Sequence, residues 1–145
     1  MGLAAGETVS YETRDNGKVY VYRSLGGVKV DLVSVGSADL ADAKTEANTI
    51  IGNHKTAVGT IKTLYNGRIT ALAGAATKTH ADTDNEGNAI TINEYDIVEG
   101  GVTNTYYVQS TQTATVDAEY DTMVVNIDLN RTHDDDLVTA VNALA

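Results

Sequence analysis

Between Leu40 and Leu72 the apolar positions recur every seven residues. Ile51, Val58, Tyr65 and Leu72 share one heptad position, and Ile50, Ala57, Leu64 and Ala71 share the one beside it. A third position reads Leu40, Ala47, His54 and Ile61 before it turns polar at Arg68. Thr49, Thr56, Thr63, Thr70 and Thr77 repeat at the same interval on the far side. Sustained heptads predict a helix over 37–73 that is packed along its length or enters a coiled coil, with Ser37 as its N-cap. Gly52, Gly59 and Gly67 each cost such a helix ~1 kcal/mol relative to Ala, so packing must hold it. Residues 38–73 would span about 54 Å at the helical rise, whereas a chain of this length has a radius of gyration of about 15 Å. Either the helix breaks, with Asn66-Gly67 as the C-cap, or its overhang packs on a neighbouring subunit.

Before the helix, residues 8–35 alternate as a β-meander. Asp15-Asn16-Gly17 carries the Asn-Gly hairpin signal, and Gly26-Gly27 marks a second tight turn. Val28, Val30 and Leu32 line one face of the third strand; Val33 and Val35 fall out of phase, which suggests a bulge. After the helix, 74–88 reads as a polar, acidic loop. Antiparallel strands are expected over 89–130, with a turn at Glu99-Gly100-Gly101 and an inward face of Met123, Val125, Ile127 and Leu129. Residues 134–144 form a short helix that Asp134, Asp135 and Asp136 start favourably for its dipole. The expected fold class is α+β in one domain, 1–145, with N- and C-terminal antiparallel hairpins around one long helix.

Composition narrows the functional classes. The 145 residues include no Cys, Pro, Phe or Trp, so neither a disulfide framework nor a thiolate metal site can form. No apolar run approaches the ~20 residues needed to span a bilayer. Met1 to Glu7 has neither the basic region nor the apolar run of a signal peptide. Residues 1–75 hold eight Lys and Arg against seven Asp and Glu; residues 76–145 hold two against thirteen, a net of −11. Phosphate neutralisation needs clustered cations, so nucleic acid is not an expected partner.

Candidate chemistry is sparse. Asp82, Asp84 and Glu86 ahead of Gly87 resemble the first half of a calcium loop, although the twelfth position is Asn93 rather than Glu. An ordinary solvated loop is the competing reading, and calcium is the only cofactor considered. Glu94 and Asp96 alternate on a strand and could serve as paired carboxylates in a hydrolase. There is no G-x-S-x-G elbow, phosphate-binding loop or H-E-x-x-H, so the chain reads as non-enzymatic.

The Thr-, Asn- and Gly-rich heptads from Ala47-Asn48-Thr49-Ile50-Ile51-Gly52-Asn53 through Ala71 lie between Thr- and Val-rich hairpins. In that pattern residues 37–77 resemble bacteriophage virion structural proteins: capsid decoration (cement) proteins and fibre or tail components. The resemblance implies a protein of the virion, often trimeric, that clamps subunits of a shell or tube. The expected function is therefore capsid decoration by homo-oligomeric and lattice contacts, with itself and a viral shell or tail protein as partners. Ile51, His54, Val58, Ile61, Tyr65 and Leu72 would form the oligomer interface. A fibre or tail-tube subunit, a carbohydrate- or calcium-binding module, and a hydrolase are the alternatives.

Overall fold

Two glycine turns build a first antiparallel sheet from β1 (Glu7–Thr13), β2 (Val19–Leu25) and β3 (Val28–Asp31). Gly17 enters the left-handed region at φ 78°, and the Asn16 side chain accepts the Lys18 amide at 2.9 Å. Gly26 and Gly27, at φ 58° and 81°, make the two-residue turn whose twist suits a hairpin. The computed structural model describes residues 2–32 and 35–145, so the bulge expected at Val33 lies outside the described residues.

The fold class is α+β, as the pattern implied, with two three-stranded antiparallel sheets and long helices. Helix α1 runs from Leu40 to Ala73. Its N-cap is Asp39, whose Oδ1 accepts the Asp42 amide at 2.9 Å, rather than Ser37. Ser37 serves the first sheet instead. Its backbone pairs in both directions with Val19, at 2.8 and 3.0 Å, and continues the ladder. The break expected at Asn66-Gly67 is absent, and Gly67 keeps helical geometry.

Two further segments differ from expectation. The acidic loop contains a strand, β4 (Lys78–Thr83), which pairs with β5 (Ala89–Glu99); β5 pairs in turn with β6 (Val102–Gln109). After a 3-10 turn at Ser110–Gln112, residues 113–130 are helical rather than extended. They belong to helix α2, Thr113–Asn142, which absorbs the short C-terminal helix. The alternation Met123, Val125, Ile127, Leu129 is fortuitous, since only Ile127 is buried. What the helix turns inward is Val116, Tyr120, Ile127, Asp134, Leu137 and Val141, spaced as multiples of three and four residues. Asp134–Asp136 lie within α2, not at a helix start.

Chain contacts gather into two compact units. The first joins residues up to Gly59 with Asp128–Ala145, and the second is Thr60–Ile127. Each holds one sheet, part of α1 and part of α2. The first core is aliphatic: Val19, Val21, Ala43, Ala47, Ile51, Leu137 and Val141. The second gathers Leu72, Tyr95, Ile97 and Val108, with Val116 and Tyr120 against them. Leu72, in the second half of α1, thus packs into a core with the second sheet of its own chain.

The chain is also an internal repeat, with three antiparallel strands and then a long helix occurring twice in order. The first hairpin of each copy closes alike. Gly17 donates to Arg14 O and Arg14 to Lys18 O; Gly87 donates to Asp84 O and Asp84 to Asn88 O, all at 2.9–3.1 Å. Gly100 and Gly101, at φ 59° and 79°, repeat the geometry of Gly26 and Gly27.

Candidate functional site

The expected interface residues take three different places. Ile51 and Leu72 are buried in the first and second cores. Val58 and Tyr65 are half-buried, with the Tyr65 ring 5.5 Å from that of Tyr120. His54 and Ile61 are exposed. One heptad position therefore faces inward along α1, and a neighbouring stripe of Ile50, His54, Ala57 and Ile61 faces out. Helix α2 has a matching feature in Ala118, Thr122, Val125 and Leu129, all exposed at helical spacing. Val125 and Leu129 are 58% and 56% exposed.

In the first unit, two histidines meet buried carboxylates. His133 Nε2 lies 2.8 Å from Glu7 Oε2, and His54 Nδ1 lies 2.6 Å from Asp134 Oδ2. Arg23 Nη1 adds a longer contact of 3.4 Å to Glu7. Burial pushes the Glu7 carboxyl up, but the His133 hydrogen bond and charge, the Ala4 amide and Arg23 together hold it below its ordinary 4.5. Arg23, His54, His133 and Asp134 line a cleft of about 450 Å³ with Ile50 and Leu137. Among the described residues, the lining of this cleft includes no Ser, Thr or Lys.

In the second unit, Asp82, Asp84 and Glu86 do not converge. Asp84 spends its carboxylate on the turn: Oδ1 accepts the Glu86 and Asn88 amides at 2.9 Å, and Oδ2 accepts the Asn88 side chain at 3.2 Å. Those hydrogen bonds, led by the Asn88 amide, lower its carboxyl below the ordinary value. Asp82 lies in β4 and accepts the Thr83 amide. Among the described residues, no three His, Asp or Glu side chains are grouped so as to hold a metal ion. Glu94 and Asp96 occupy alternate positions of β5, as expected, but each is engaged. Glu94 meets His80 at 3.1 Å and Lys78 at 3.7 Å; Asp96 accepts the Thr105 hydroxyl at 2.6 Å.

Sequence reasoning missed one feature of this unit. A cavity of about 290 Å³ lies among Arg68, Leu72, Ile97, Tyr106, Val116 and Tyr120. Arg68 Nε donates to Glu99 Oε2 at 3.0 Å, and its guanidinium lies 5.0–5.6 Å from the rings of Tyr65, Tyr106 and Tyr120. The Tyr106 hydroxyl donates to Glu99 as well. That bond, aided by Arg68 and against burial, lowers the Glu99 carboxyl; the same bond together with burial raises the Tyr106 phenol, against the Arg68 charge. The available signal was Arg68 interrupting an apolar heptad position one turn before Leu72. Among the described residues, no helix is long and apolar enough to cross a membrane. Compared with family models, curated proteins and solved structures, the chain matches none.

Proposed function

We propose that the chain is a structural protein of the virion, of the capsid-decoration type, which acts by packing against copies of itself and against a shell. Its observational support is the uncovered aliphatic stripe on each long helix, above all Val125 and Leu129 on α2 and Ile61 on α1. Scattered apolar residues are ordinary on a surface, but aliphatic side chains aligned at helical spacing mark an interaction face. Covering one such side chain fully is worth about 1.5–3 kcal/mol, so a stripe repeated around a trimer axis can hold copies together. The heptad likeness of residues 37–77 to virion structural proteins points the same way.

Mass measurement tests the reading. Light scattering of the purified chain should give a trimer or another closed homo-oligomer at micromolar concentration. Val125→Asp with Leu129→Asp should give a monomer that keeps its melting transition. The parent chain, mixed with candidate shell particles, should raise the mass per particle. A parent chain that stays monomeric at about 100 μM, a concentration at which even weak micromolar association is saturated, and adds no mass to any shell would refute the proposal.

A further inference from the structure

The lining of the second unit's cavity combines two kinds of group. Leu72, Ile97, Val108 and Val116 provide an aliphatic floor. Arg68, Tyr106, Tyr120 and Gln112 bring hydroxyl, amide and guanidinium groups to the same space. Of the five N–H donors of a guanidinium, Arg68 spends only Nε–H on Glu99 among the described residues. Neither the Tyr120 hydroxyl nor the Gln112 amide has a hydrogen-bond partner among them. Donors and acceptors are therefore left over beside an apolar surface.

Charge selects the ligand further. Arg68 and Glu99 neutralise each other, so the site offers no net cation to an anion. The unit Thr60–Ile127 holds nine Asp and Glu against three Lys and Arg, a net of −6 that repels anionic ligands. A wholly apolar ligand would strip water from Arg68, Tyr120 and Gln112 without replacing their hydrogen bonds. A neutral pyranose has the required two-sidedness, with C–H groups on its faces and hydroxyls around its edge. We propose that this cavity is a subsite for one neutral saccharide ring, seated on Leu72, Val116 and the Tyr120 ring and hydrogen-bonded by Arg68, Gln112 and the Tyr120 hydroxyl. The volume, at the low end for small-molecule pockets, limits occupancy to about one ring.

A titration of the ¹⁵N-labelled full chain tests this, with glucose, galactose, mannose and N-acetylglucosamine as neutral probes and glucuronate as the charged one. At least one neutral sugar should shift the amides of Leu72, Val108, Gln112 and Val116, saturating in the range of about 1–20 mM expected for a single ring. Gln112→Ala and Tyr120→Phe should each weaken that binding about fivefold, as expected for one lost hydrogen bond, with unchanged melting. If Tyr120→Phe unfolds the unit, Gln112→Ala, at an exposed turn, decides alone. The proposal is overturned if no neutral sugar moves those amides, if glucuronate binds more tightly, or if the folded variants bind as the parent does. It is equally overturned if the amides move with protein concentration alone, because a second copy would then fill the cavity.

Discussion

The two units share one plan and fill it differently. In the first, α1 sets Ala43 and Ala47 beside Ile51 in the core, and both alanines, with Val21 and Val141, have no exposed surface at all. Small residues on the helix bring it down onto the valines, while the first unit's cleft of about 450 Å³ lies beside Ile51 and Leu137. In the second, the same layer is built from Leu72 and tyrosines, and its most buried apolar member, Tyr95, is still 4% exposed. Rings and a guanidinium stack at 5.0–5.6 Å instead of interlocking, and a cavity remains. A repeated topology therefore sets where a core lies, while side-chain size decides whether it closes.

The sharpest way to break this comparison is truncation in each core. Per carbon removed, Val21→Ala should cost about 1.5 kcal/mol and Leu72→Ala about 1 kcal/mol, because cost rises with the cavity left behind and the layer around Leu72 already holds a gap that can relax. Denaturant unfolding followed by residue-resolved hydrogen exchange would measure both; equal losses per carbon would show that the two cores are packed alike. Next in size is Glu99→Gln, which replaces the acceptor shared by Arg68 and Tyr106. A loss of about 1–3 kcal/mol is expected, appearing as faster exchange in β5 and β6 rather than in β1 and β2.

Acid should sharpen the contrast. The carboxyls of Glu7 and Glu99 are lowered in the folded chain, so each stabilises it above the ordinary value of 4.5 and loses that effect as pH falls through the folded value. Glu7→Gln should flatten the acid limb of stability in the first unit, and Glu99→Gln that in the second. Thermal melts between pH 6 and about 2.5 would check this, and stability should rise with pH wherever the unfolded chain binds more protons. The smallest effects are expected at the turns. Gly17→Ala and Gly87→Ala place a Cβ at φ 78° and 85°, in otherwise open space. Each should cost about 1–2 kcal/mol, and nearly the same amount; a large difference would mean that the repeated hairpins are not equivalent.

Legibility follows locality. The Asn-Gly and Gly-Gly turns are readable because the backbone conformation is dictated by the residues that adopt it. The repeat is also present in the sequence, as Thr13 to Gly17 against Thr83 to Gly87. Insertions hide it: β2 runs seven residues and β5 eleven. The tract before β5 reads as a loop because its residues are polar, and β4 is in fact exposed throughout. The first part of α2 reads as a strand because four apolar residues happen to alternate, while its true inward positions include Asp134, a carboxylate at a core position. A hydrogen-bonded polar residue at a core position does not register as apolar periodicity.

The order of residues alone determined the α+β class, the hairpin turns and the inward heptad of α1, since each is a matter of backbone preference or period along one element. Only tertiary structure decided that α1 runs unbroken, that its far half meets the chain's own second sheet, and that Arg68 meets Glu99 beside an open space. Those outcomes depend on segments distant in sequence competing for the same apolar surface, and no local pattern encodes which of them prevails.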